Sequence, residues 1–472
     1  MPTQKTKTPK SSTRLPASFR DPSGFLFLDG GILYRQVNQI YAENYDLLME
    51  SGLYTGLVKA GVLISHKEVE QSPGKEGTAY KFLQPEIIPF ISYPYEWSFS
   101  QYKDAALATL SIQKRALKRG MSLKDASAYN IQFLHGRPIL VDTLSFEKYQ
   151  EGQPWIAYKQ FCQHFLAPLA LMALRDVRLG QLMRLHIDGI PLDLASQLLP
   201  GTTRLNFGLL THIHLHARAQ KRFADSEITR TKRRMSMSKQ GMIGLIDSLH
   251  ASVKKLHWDA GGTEWSNYYE ITNYSDAAFE HKKETVEKWV AQVKPVSVWD
   301  LGANNGEFSR IASRAGIYTI SSDIDPAAVE QNYLQTRKDK EKNLLPLWQD
   351  LTNPSAALGW AHRERDAFTQ RGPADMVFAL ALVHHLAISN NVPLLKVAEY
   401  FAELCNWLVI EFVPKSDSQV LKLLQNREDI FENYTSEGFD EAFSEFFEIQ
   451  ERVNLKETDR VMYLYRKRNT SV

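Results

Sequence analysis

From residue 296 to residue 413, short apolar runs alternate with stretches in which apolar positions recur at helical spacing. The runs are Val296 to Asp300, 317–322, 344–348, 375–382 and 406–413, each of a length suited to a strand buried on both faces. Two longer strand-like runs follow, 446–455 and 460–468, with a polar turn between them. Such alternation predicts a parallel sheet covered by helices on both faces. Ligands of such sheets gather at the carboxyl ends of the strands, near the point where strand order reverses.

The first half is patterned differently. Asp29-Gly30-Gly31 between two apolar runs predicts a hairpin over residues 24–35. Helix is expected around 41–60 and strands at 61–69 and 79–83, followed by a long amphipathic helix over about 100–119. Residues 155–176 and 209–223 have helical apolar spacing, and 187–199 reads as a loop and short helix. The expected fold class is α/β for the C-terminal half, with an α+β domain and a helical segment before it. The divisions are a basic tail at 1–20, an N-terminal domain at 21–150, a helical segment at 151–255 and a C-terminal domain at 256–472.

A chain of 472 residues exceeds one ordinary core, and 43% hydrophobic with 23% charged residues is a globular composition. A net charge of +2 gives no general case for a nucleic-acid partner. Cys162 and Cys405 lie far apart without metal-ligand spacing and read as reduced core thiols, so a cytoplasmic protein is expected. No run approaches the roughly 18 apolar residues of a membrane span. Residues 1–20 carry five basic side chains and no acid, and should be disordered. Residues 218–239 carry eight basic and two acidic residues and read as an exposed face, with phosphate or RNA as a lesser alternative. His212, His214 and His216 alternate, so on a helix only His212 and His216 share a face; they read as structural.

Candidate chemistry collects at the predicted strand ends. Asp300 ends the first strand, and Gly302 and Gly306 bracket a turn that leads into a helix. Such a turn brings backbone close to a ligand and offers it unpaired N–H groups. Glu307-Phe308 stands where a phosphate loop needs Lys and Ser or Thr, so the loop is not a Walker A. The stretch Asp300-Leu-Gly302-Ala-Asn304-Asn-Gly306 resembles the first motif of class I S-adenosylmethionine-dependent methyltransferases. Asn304 replaces the middle glycine and tolerates positive φ better than most residues.

That resemblance implies a Rossmann-like seven-stranded sheet with S-adenosylmethionine as cofactor, over residues 270–472. It places Asp323 on the ribose, with Asp325 as the competing acid, and Asp350 on the adenine amino group. His384 and His385, which close the fourth strand, are the candidate bases, and Glu411 is a weaker one. Tyr268, Tyr269 and Tyr274 precede the first strand and are candidates for a lid.

In the first half, Asp125, Asn130 and Asp142 are spaced as in the catalytic segment of protein kinases and aminoglycoside-phosphotransferase-like enzymes, which this segment resembles. There they would supply the base (Asp125) and two magnesium ligands (Asn130, Asp142). The departures are Lys124 before Asp125, Thr143-Leu144 after Asp142 and no glycine-rich loop. Arg35 is the nearest counterpart of the ATP-anchoring lysine.

The whole chain resembles a bacterial methyltransferase-like family related to nodulation proteins, through Tyr95-Glu-Trp, Lys124-Asp-Ala-Ser-Ala-Tyr-Asn and Val383-His-His-Leu. The expected function is methyl transfer to a glycan or small molecule, with RNA or protein as a second acceptor class. The alternative is a binding or scaffold protein with a degenerate kinase-like half.

Overall fold

The computed structural model describes residues 13–70, 78–218, 236–261, 275–425 and 427–469. The N-terminal half opens with strands β1 (Thr13–Arg14), β2 (Gly24–Asp29), β3 (Ile32–Asn38), β4 (His66–Val69) and β5 (Ala79–Pro85). They form an antiparallel sheet in the order β1-β2-β3-β5-β4. Gly30 and Gly31 take φ of +59° and +85° in the β2–β3 turn, as the expected hairpin requires. Helices Ala42–Glu50 and Leu53–Lys59 link β3 to β4.

The helix Phe99–Lys118 starts at a capping box, in which Ser98 and Gln101 each accept the other's backbone N–H. Beyond it, β6 (Met121–Leu123) pairs with β9 (Phe146–Lys148), enclosing the hairpin of β7 (Ile131–Leu134) and β8 (Arg137–Leu140).

Three expectations for this half change. Residues 13–20, assigned to a disordered tail, are ordered: β1 pairs with β2, Arg14 lies over the Phe25 ring at 4.3 Å and Arg20 bonds Glu364 at 2.7 Å. The helix expected over 155–176 is three pieces, Tyr158–Phe161, a π-helical turn Cys162–Leu166, and Ala167–Leu174. A second π-helical turn, Leu210–Leu215, carries His212 and His214. His212 lies between Tyr158 and Ser248 at 2.9 Å each, and His214 between Ser196 and Thr203 at 2.8 Å each. Hydroxyls thus occupy both ring nitrogens of each, the structural role expected. Most of the basic run at 218–239 lies outside the described residues.

The C-terminal half is one seven-stranded sheet of β10 (Ser297–Leu301), β11 (Tyr318–Asp323), β12 (Leu344–Trp348), β13 (Ala374–Ala379), β14 (Cys405–Phe412), β15 (Phe447–Asn454) and β16 (Val461–Lys467). The order is β12-β11-β10-β13-β14-β16-β15, parallel through β14 and antiparallel at β16 and β15. This is the closure the resemblance implied. Strand order reverses between β10 and β13, which sets the ligand crevice there.

The N-terminal half covers the β12 edge, which would otherwise present unpaired backbone. Gln101 donates to the Pro346 carbonyl at 2.9 Å, and Tyr333 donates to Asp104 at 2.8 Å. The largest cluster of buried apolar residues draws on both halves, and smaller clusters lie within each half. No helix of the described residues is long and apolar enough to cross a membrane.

Candidate functional site

The turn after β10 holds Gly302, Asn304 and Gly306 at φ of +77°, +50° and +82°. Asparagine is among the few residues that adopt such a backbone readily, so Asn304 fills the position without glycine. The two glycines serve different ends. A Cβ on Gly302 would stand 3.1 Å from the Leu382 side chain, across the crevice. A Cβ on Gly306 would stand 2.5 Å from the buried Asn332 amide, which itself donates to Ser321 at 2.8 Å. Gly302 therefore keeps the crevice open, and Gly306 allows the packing beneath it.

The crevice contains a cavity of about 220 Å³. Lys282, Asp300, Gly302, Asn304, Asp323 and His385 line it, with Phe279, Phe308, Leu380 and Leu382 as apolar walls. Asp300 is 1% exposed and accepts the Ser309 hydroxyl at 2.6 Å. Burial pushes its carboxyl up to about 7, against the opposing pull of Ser309 and Lys282. Asp323 accepts the backbone N–H of Asn304 at 2.7 Å and of Asp325 at 2.8 Å. Its carboxyl is pushed up to about 6, again by burial.

Asp325 and Asp350, both expected at the cofactor, lie outside the cavity lining. Asp325 accepts the Ala327 N–H at 2.8 Å and caps the helix Pro326–Asp339; Asp323, rather than Asp325, lines the cavity. Asp350 accepts the Thr352 backbone N–H at 2.8 Å and its hydroxyl at 2.7 Å, and is not part of the lining. Both bonds fall on Asp350 Oδ1, so one oxygen of this carboxylate closes the turn to Thr352.

His384 and His385 stack with centroids 4.2 Å apart. His385 lines the cavity, whereas His384 is 1% exposed behind it and its Nδ1 has no hydrogen-bond partner among the described residues. Burial lowers His385 to about 4. Burial, then the His385, Arg460 and Lys282 charges, hold His384 well below the ordinary range. Both shifts favour the neutral imidazole.

Lys282 is a cavity residue that the sequence reading passed over. It sits on the helix Asp276–Val293 among the buried residues Ala278, Val286 and Trp289, and pairs with Glu411. A lysine on the apolar face of an amphipathic helix was the available signal. Glu411, the weaker candidate base, lies outside the cavity lining and is held between Lys282 and Arg460. Tyr268, Tyr269 and Tyr274 lie outside the described residues.

In the N-terminal half, Asp125, Asn130 and Asp142 come together. Asp125 accepts from Ser127 at 2.9 Å and Gln160 at 2.8 Å, and also from the Asn130 side chain. Burial and then the Asp142 charge raise its carboxyl. Asp142 is paired with Arg35 and accepts the Ser145 hydroxyl at 2.5 Å. Burial alone would raise Asp142, but Arg35 and Ser145 outweigh it and hold the carboxyl below its ordinary range.

The geometry defines a doubly wound α/β domain with a ligand cavity at its switch point, joined to an α+β half. Nodulation protein NoeA of Rhizobium meliloti (strain 1021) is 35% identical over 462 residues, covering 96% of this chain and 96% of that protein. The chain belongs to the family of this nodulation protein. No protein-family model matches the chain. Among solved structures, the magnesium protoporphyrin IX methyltransferase of Synechocystis PCC 6803 with bound SAM is similar at 17% identity and a TM-score of 0.29, over 43% of this chain and 89% of that one. A SAM-dependent methyltransferase from Aquifex aeolicus is similar at 13% identity and a TM-score of 0.30, over 43% of this chain and 98% of that one. The bifunctional kinase-methyltransferase WbdD is similar at 14% identity and a TM-score of 0.29, over 41% of this chain and 40% of that one.

Proposed function

We propose that the chain is an S-adenosylmethionine-dependent methyltransferase whose donor occupies the cavity at the β10–β13 switch point. The observation that carries this reading is the convergence of Asp300, Gly302, Asn304, Asp323 and His385 on that one cavity. Asp323 accepts the backbone N–H groups of Asn304, Asp325 and Ile324, three of about four lone-pair sites, so the carboxylate keeps capacity for a ribose hydroxyl. Lys282 and Asp300 put opposite charges in the same lining, which suits the zwitterionic tail of a methionine.

The bound donor would supply a sulfonium methyl that moves to the acceptor's lone pair while the carbon–sulfur bond electrons stay on sulfur. The protein's part is alignment and the exclusion of water by Phe279, Phe308 and Leu382. His385, which lines the cavity, would accept a proton or hydrogen bond from the acceptor. Burial makes its imidazolium costly, so it serves better as an orienting acceptor than as a strong base.

Ser389 and Asn390 add a hydroxyl and an amide to the lining, which favours a hydroxylated small molecule or glycan as acceptor, by O- or N-methylation. RNA or protein is the second acceptor class. The test is isothermal titration with S-adenosylmethionine. Wild-type protein should bind, and both Asp323→Ala and Gly302→Arg should lose most of the affinity; undiminished binding by either would sink the assignment.

A second reading concerns the N-terminal half. Its antiparallel sheet, the β6–β9 pair around a hairpin and the Asp125–Asn130–Asp142 group support a kinase-like fold. Arg35 holds the carboxylate that a nucleotide-bound magnesium would need, which favours a degenerate site that recognises rather than phosphorylates. Magnesium-ATP should therefore neither bind tightly nor be consumed, and Asp142→Ala should not change that. If donor is not consumed in cell extract, the scaffold reading gains over the enzyme reading.

A further inference from the structure

Arg204, Leu205, Asn206 and Phe207 are exposed in succession. Leu205 is 89% exposed, more than any other large apolar side chain among the described residues, and Phe207 is 77% exposed. Two such neighbours facing water are costly unless something covers them. The turn that presents them is firmly built. Thr203 donates to the Pro200 carbonyl at 2.5 Å and lies 2.8 Å from His214, and the Asn206 side chain accepts the Leu209 N–H at 3.2 Å. Gly208 lies against the helix Lys239–Lys255 so closely that a Cβ would fall 2.1 Å from the Ser252 hydroxyl.

Basic side chains flank this turn. Arg204 and Arg218 both lie near enough to His214 to oppose its protonation. Lys255 is exposed on the helical face of Ser252, one turn further along. There is no Asp or Glu from Leu194 to Arg218.

We propose that this turn docks on an anionic lipid membrane, with Leu205 and Phe207 entering the interface while Arg204, Arg218 and Lys255 meet the headgroup phosphates. An apolar tip ringed by basic side chains is the arrangement that binds such surfaces by burial and charge together. A nucleic-acid strand would use the basic side chains and could stack on Phe207, but would leave Leu205 in water.

The experiment is co-sedimentation of the full chain with vesicles of phosphatidylcholine alone or mixed equally with phosphatidylglycerol. Binding is expected on the mixed vesicles only, weakening as salt is raised. The double variant Leu205→Ser/Phe207→Ser should bind about tenfold less. Its melting temperature should match the parent's, because both side chains are exposed. Arg204→Glu should also weaken binding. The proposal is overturned by absent binding to mixed vesicles or by equal binding of the double variant. It is equally overturned if poly(U) binds in preference to vesicles with affinity unchanged in the double variant.

Discussion

Lys282 and Glu411 meet at 2.7 Å with 4% and 0% of their side chains exposed. Arg460 approaches the other Glu411 oxygen at 3.3 Å and is itself tied to Asp417 at 2.8 Å. Four charges are thus buried behind the donor cavity, and one of them, Lys282, also forms part of its wall. Burial draws the lysine's pKa down and Glu411 draws it back up.

Taking Glu411 away would remove the carboxylate that Lys282 and Arg460 share, leaving Arg460 its contact with Asp417. Glu411→Ala is expected to cost roughly 3–5 kcal/mol of stability, read from urea unfolding. Lys282→Met alone should also destabilise. Because the pair pays a desolvation cost, Lys282→Met combined with Glu411→Met should recover much of the loss. Purely additive single effects would mean that the two side chains do not act as a pair.

Donor binding should depend on pH through Asp300 and Asp323. Their carboxyls are raised from 3.8 to about 7 and about 6. A raised carboxyl favours its protonated form in the fold, so its contribution to stability is full below about pH 4. That contribution is lost as pH rises through about 6 and 7. A cationic donor favours the carboxylates instead. S-Adenosylmethionine affinity should therefore rise between about pH 5.5 and 7.5, with proton release seen as buffer-dependent binding enthalpy. Asp300→Asn should flatten that rise, and S-adenosylhomocysteine, which lacks the sulfonium charge, should show less of it. Constant affinity across this range would exclude the linkage.

The two glycines of the turn should separate folding from binding. Gly306→Ala pushes a methyl into the Asn332 amide at a φ of +82° and should lose about 1–3 kcal/mol of stability. Donor affinity of the folded fraction should change little. Gly302→Arg, strained as well at a φ of +77°, should also lose stability, but it fills the crevice beside Leu382, so its folded fraction should lose donor affinity too.

The sheet was legible because apolar strands of five to eight residues repeat between amphipathic helices, and the observed strands fall on those runs. The site was legible only as far as the turn and the strand ends. Asp323 and Asp325 are two residues apart, and the sequence offers no way to rank them. A helix beginning at Pro326 recruits Asp325 as its cap and leaves Asp323 for the cavity. Asp350 was assigned by position, but its bonds to Thr352 depend on a local turn that no strand pattern reveals. The π-helical turn His385–Ser389, which separates the roles of two adjacent histidines, leaves no periodic trace either. Glu96 stands within Tyr95-Glu-Trp, and only packing gives it a role.

Glu96 joins the two halves. It pairs with Arg371 at 2.5 Å, with the side chains 1% and 4% exposed, and accepts the Ser355 hydroxyl at 2.5 Å. The Arg371 guanidinium lies over the Phe90 and Tyr93 rings at 4.7 and 4.8 Å, so its planar face is used as well as its charge. Glu96→Ala leaves that cation buried without its carboxylate, a loss of roughly 3–5 kcal/mol. Arg371→Lys keeps the charge but not the two-pronged contact, and should lose less. Because this pair spans the halves, the parent should melt in one calorimetric transition and Glu96→Ala in two. A single transition at the parent's temperature for Glu96→Ala would mean that the halves are held together by their shared apolar core alone.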